Sequence, residues 1–148
     1  MNLIERLPQE IKLAMLARDA NRLGTLRLLK SAIGYAQIEC KNENLSDAEL
    51  IAIVQKEVKK RQDAIAQYEL AGRTDSAAKE KSEQTVLEGF LPQPLAPAEL
   101  EHMVRDAIQA AGATSKKSMG QVIKAVQAQA AGRAAGKTIS TLVGSLLP

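Results

Sequence analysis

Leu91-Pro-Gln-Pro-Leu-Ala-Pro97 is the stretch that decides how this chain is organised. Its three prolines, Pro92, Pro94 and Pro97, remove backbone donors and push the residue before each one out of the helical region. It is the sharpest interruption in the 148 residues. A domain boundary is expected there, with residues 1–92 on one side and 93–148 on the other. Both sides read as helix. Ala, Leu, Glu, Lys, Gln and Arg dominate, and these residues lose least on entering a helix. Alternating strand-like runs and Asn-Gly or Asp-Gly hairpin signals are absent.

Upstream of the prolines, four helices are expected. Leu3, Leu7, Ile11 and Met15 share one stripe of the first, with Pro8 in its first turn or at its true start. Leu23, Leu26, Leu29, Ile33 and Ile38 mark the second, which fades at Lys41-Asn-Glu-Asn44. Ser46-Asp-Ala-Glu49 reads as a capping box, in which the Ser hydroxyl and the Glu carboxylate satisfy free backbone N–H groups. The third helix follows, burying Ile51, Val54, Val58, Ile65 and Tyr68, and Gly72 can end it in the left-handed conformation. A fourth, more polar helix spans about Asp75 to Phe90. Downstream, Pro97 suits the first turn of a fifth helix ending near Gly112. Ser118-Met-Gly-Gln121 resembles a second capping box and opens a sixth helix through Val122, Ile123 and Val126. Gly132-Arg-Ala-Ala-Gly136 turns the chain into a last helix carrying Ile139, Leu142, Val143, Leu146 and Leu147. The expected fold is all-α, an N-terminal four-helix domain followed by a small C-terminal three-helix domain.

Composition excludes several function classes. The length suffices for a buried core. The aromatics are Tyr35, Tyr68 and Phe90, without Trp, too few for the stacking platforms of many single-strand RNA readers. Cys40 and His102 are the single cysteine and histidine. They exclude an internal disulfide and leave little basis for a thiolate zinc site or a catalytic triad. No apolar run approaches the ~20 residues that span a bilayer, and the acid-bearing segment Met1–Glu10 lacks a signal peptide's apolar stretch. The expectation is a cytoplasmic protein without membrane, metal or cofactor.

Charge is unevenly placed. Residues 1–92 carry 14 basic and 14 acidic side chains, whereas residues 93–148 carry six and three. From Ala107 to Pro148 there are five bases, Lys116, Lys117, Lys124, Arg133 and Lys137, and no acid. A field of one sign attracts phosphate, and it can equally be a solubilising face.

Other candidates are weaker. Gly132-Arg-Ala-Ala-Gly-Lys-Thr138 has one residue too few between its glycines for a nucleotide-hydrolysing phosphate loop, and it follows a helix where a strand is required. A tight turn is the better reading, with Arg133 and Lys137 beside the N-terminus of the last helix, where an anion is favoured. Lys56, Lys59, Lys60 and Arg61 read as a solvated face, partly neutralised by Glu57 four residues before Arg61. Arg22, Arg27 and Lys30 suit packed stems with heads reaching water or an acid across the bundle. His102 has no recognisable partner, and Cys40 reads as a small filler or an inert surface thiol. No nucleophile, base and orienting group assemble, so no catalytic residue is assigned.

Taken in order, Arg22-Leu-x-x-Leu-Arg27, Ala71-Gly-Arg73, Asp75, Lys79-Glu80, Glu83 and Leu87 form a familiar series. It continues through Phe90-Leu-Pro92, Met119-Gly-Gln-Val122 and Gly132-Arg-Ala-Ala-Gly-Lys137, nearly end to end. The series resembles the YqeY-like family. The segment from Met119 to Leu147 is also similar to the tail domain of the GatB subunit of the glutamine-dependent amidotransferase that matures misacylated aspartyl- and glutamyl-tRNA. The resemblance implies a helical N-terminal domain and a compact helical tail that contacts tRNA, without the subunit's chemistry. Ala135 stands in the turn where the family is expected to carry an acid, which makes the local field more positive.

The leading expectation is a non-catalytic, tRNA-interacting protein connected with tRNA aminoacylation or amidation. It would dock phosphates through Lys116, Lys117, Lys124, Arg133 and Lys137. The alternatives are an adaptor for a protein partner and an accessory to carbon–nitrogen ligation with glutamine as nitrogen donor.

Overall fold

Residues 2–148 are described by the computed structural model. Among them are seven α-helices, one 3-10 turn and no strand. The helices are α1 (Leu3–Leu16), α2 (Ala20–Cys40), α3 (Asp47–Leu70), α4 (Thr74–Glu88), α5 (Pro97–Ala111), α6 (Met119–Ala130) and α7 (Gly136–Leu146), with the 3-10 turn at Lys116–Ser118. They fall into two compact units, Met1–Leu91 and Pro92–Pro148. No helix among the described residues is long and apolar enough to cross a membrane.

In the first unit, helix starts are set by side chains that satisfy orphan N–H groups. Asn2 and Glu5 form a reciprocal box at α1, and Ser46 and Glu49 form the expected one at α3. Pro8 lies inside α1, because capping at Asn2 starts the helix well before it. Spacings of three and four residues then gather Leu7 and Ala14 of α1, Leu26, Leu29 and Ile33 of α2, Leu50, Val54 and Val58 of α3, and Leu87 of α4 into one cluster. Each such side chain, fully buried, contributes about 1.5–3 kcal/mol, less for Ala. Gly72, at φ +71, turns α3 into α4.

The buried stripe of α3 departs from the periodicity. Ile65 is only half-buried, whereas Arg61, expected on a solvated face, is buried at 9 % exposure. The cause is a partner from α4. The Arg61 guanidinium donates to Glu57 at 2.7 Å and to Glu83 at 3.3 Å, and Lys60 also reaches Glu57 at 3.0 Å. Here α3 and α4 meet through charge, and Ile65 lies past the apolar cluster. Met15 and Ile38 are likewise exposed, at the ends of helices that outrun the core. Arg22 does reach an acid across the bundle, Glu10 at 3.0 Å.

The second unit packs Leu100 and Val104 of α5, Val122, Val126 and Ala130 of α6, and Ile139, Val143 and Leu147 around one core. Pro97 occupies the first turn of α5, and Gly112, at φ +61, ends it. The Ala96 N–H donates to Glu99, so half of a capping box forms without a hydroxyl. The box expected at Ser118 does not form: its side chain makes no cap hydrogen bond. Ser118 sits at the end of the 3-10 turn with ψ near 4°, and the capping side chain is that of Ser115, three residues earlier. The proline stretch is not slack either. The Leu95 N–H donates to the Arg133 carbonyl at 2.9 Å, and Leu95 packs against the core of this unit.

Candidate nucleic-acid interface

The surface in question is built on α6, α7 and the turn between them. Val122, Val126 and Ala130 recur every fourth residue, as do Ile139, Val143 and Leu147, so each element turns one face inward and leaves the opposite face to solvent. Two consecutive left-handed residues, Ala131 at φ +49 and Gly132 at φ +83, reverse the chain. Where α6 and α7 meet, a Cβ on Gly136 would stand 3.3 Å from the Gln127 side chain, and one on Gly144 would stand 3.4 Å from that of Met119. These two contacts fix the antiparallel register. With ~1.5 Å rise per residue, Lys124 lies about 3 Å along the axis from the level of Lys137. Both lysines are exposed.

Lys116 and Lys117 occupy the 3-10 turn at the other end of α6, about 10 Å along its axis from Lys124. The five expected bases therefore form two groups, Lys124 and Lys137 with the turn, and Lys116 with Lys117. Arg133 is the member whose role changes. Its Nε donates to the Gln93 carbonyl at 2.9 Å, beside the bond from Leu95 to its own carbonyl. It straps the proline segment to the α6–α7 turn, which orients its guanidinium and gives it a structural task. No side chain caps the N-terminus of α7, where Lys137 is the second residue.

The acids of this unit are confined to α5, and each is occupied. Glu99 accepts from the Ala96 N–H, Glu101 holds Arg105 at 2.8 Å, and Asp106 lies 3.2 Å from His102. None forms an ion pair with Lys116, Lys117, Lys124, Arg133 or Lys137. Those five residues are all exposed.

His102 does have a carboxylate partner, Asp106, but both are exposed. Cys40 is an exposed thiol at the end of α2. No group of three or more His, Cys, Asp or Glu among the described residues is arranged to hold a metal. A shallow cleft of about 310 Å³ lies between Arg105, Ile108, Gly112, Thr114 and Leu146, without a titratable pair in it. Sequence reasoning paired Arg61 with Glu57 but missed Glu83, and it missed the strap of Arg133 on Gln93. Both missed contacts join residues more than twenty positions apart.

The profile described as Yqey-like protein matches residues 4–147. A Pyrenophora tritici-repentis protein named "Altered inheritance of mitochondria protein 41, mitochondrial" is 27 % identical over 96 % of this chain and 81 % of its own length. Proteins of the same name from Kluyveromyces lactis and Vanderwaltozyma polyspora are 34 % and 32 % identical, over 59 % and 57 % of this chain. This chain spans about half the length of those two relatives, 47 % and 46 %.

Proposed function

This chain belongs to the Yqey-like protein family, and on that premise we propose that its second unit is a phosphate-docking module for tRNA, acting without catalysis of its own. The observation that carries the reading is the segregation of charge. All three acids of residues 93–148 sit on α5 with local partners, while Lys116, Lys117, Lys124 and Lys137 stand exposed on the opposite elements without a carboxylate. Such a surface neutralises phosphates and releases their counterions, which supplies affinity irrespective of sequence. The polyanion is a tRNA on the strength of the resemblance to an amidotransferase tail, and a link with tRNA aminoacylation or amidation is part of the proposal. So is action in the cytoplasm; the mitochondrial address belongs to the named relatives.

The test is tRNA affinity as a function of salt. The logarithm of the affinity falls linearly with the logarithm of salt, by about 0.7–0.9 per phosphate contact. Replacing Lys124 and Lys137 by Ala flattens that slope by roughly 1.4–1.8 units and leaves helix content unchanged. Arg133 is kept in this variant because its side chain also holds Gln93. Absence of tRNA binding at low salt overturns the reading, and a protein complex that persists at high salt supports the adaptor alternative instead.

A further inference from the structure

Two separate cationic groups, one just before α6 and one at its middle beside the start of α7, say more about the ligand than total charge does. Lys116 and Lys117 lie in the 3-10 turn that leads into α6, and mid-helix Lys124 lies about 10 Å further along, near the level of Lys137 on α7. The surface between and beside them is low and neutral: Gly120, Gln121, Ala125 and Ala128 are exposed, and open space surrounds Gly120. We propose that this unit grips double-helical RNA, with α6 lying across a groove so that its two lysine groups meet the phosphate rows on either side. The inference rests on the RNA reading above and narrows its ligand to the paired regions of the molecule.

Three features favour a duplex over a single strand. A strand's phosphates run continuously, and its readers combine an unbroken basic track with aromatic faces for the bases. Residues 92–148 contain no Phe, Tyr or Trp, and their basic track is interrupted. An A-form helix presents the complementary pattern, two phosphate rows bounding a wide, shallow minor groove lined with 2′-hydroxyls. The small side chains of α6 let its backbone approach that groove closely. The Gln121 amide, both donor and acceptor, stands between the lysine groups and can meet a 2′-hydroxyl, a group that DNA lacks.

The experiment uses the full chain at about 100 mM salt with four probes: tRNA, an RNA duplex of about 16 bp, its separate unstructured strands, and the DNA duplex of the same sequence. The expected result is a duplex-RNA affinity at least roughly tenfold above that for either strand and above that for the DNA. K116A/K117A and K124A/K137A are each expected to flatten the duplex salt slope by about 1.4–1.8 units. Strands that bind as tightly as the duplex, DNA that binds as tightly as RNA, or a slope carried by only one lysine pair overturns the proposal. If tRNA binds while the duplex has no advantage, the groove grip fails and the RNA reading stands. If no RNA binds, the RNA reading itself fails.

Discussion

Arg61 shows what a single residue does to the reading of a helix. By pattern it belongs to a solvated run with Lys59 and Lys60; in the fold it is held between Glu57 and Glu83. A buried charge pair adds little over an apolar substitute, yet removing one partner strands the others. Arg61→Ala leaves two carboxylates facing each other and is expected to cost about 3–5 kcal/mol in urea denaturation. Lys59→Ala, at an exposed site nearby, is expected to stay within about 0.5 kcal/mol. Equal losses at the two positions would contradict this assignment. The pairing with Glu57 was legible, because four residues is one helical turn. The pairing with Glu83 was not, because nothing local records which helix packs opposite. The same holds for the apolar stripe. Leu26, fully buried, is expected to cost about 2–5 kcal/mol on truncation to Ala, and half-buried Ile65 distinctly less, although the periodicity ranked them alike.

At the scale of elements, caps separate what sequence can and cannot give. Ser46 and Ser118 head equally good sequence patterns, yet only Ser46 makes the bonds. Ser46→Ala is therefore expected to lower thermal stability by about 0.5–2 kcal/mol and Ser118→Ala by almost nothing. A comparable drop at Ser118 would mean that its hydroxyl has a partner in solution. Pattern alone cannot distinguish the two, because the 3-10 turn before α6 leaves Ser118 with ψ near 4° instead of the extended backbone a cap needs. Pro92 to Pro97 teaches the converse. Proline chemistry interrupts the helices between α4 and α5, but whether the segment is slack depends on long-range partners. Here Leu95 and Gln93 are bonded to Arg133. Breaking both side-chain interactions in L95A/R133A is expected to lower the melting temperature through lost burial and one lost hydrogen bond; an unchanged melting curve would show that the strap carries no load.

For the whole molecule, helix content, the chain reversals at Gly72 and Gly112, and the concentration of positive charge after Ala107 were all legible, because each depends on composition or on neighbours three or four residues away. The proposed interface could be written from the sequence as a set of bases and not as a geometry. Packing of α6 against α7 sets Lys124 and Lys137 at levels about 3 Å apart along the axis, and the strap on Gln93 gives Arg133 a hydrogen bond besides its charge. The central claim is that RNA affinity resides in that geometry and not in the net charge of +3. Two charge-reversed variants of equal net charge test it most directly: K124E/K137E on the α6–α7 face, and K59E/K79E, at exposed lysines of the first unit. With tRNA at about 100 mM salt, the first is expected to lose at least roughly tenfold in affinity, and the second to lose little, because Lys59 and Lys79 belong to the first unit and are not part of that face. Equal losses in the two variants would contradict the account.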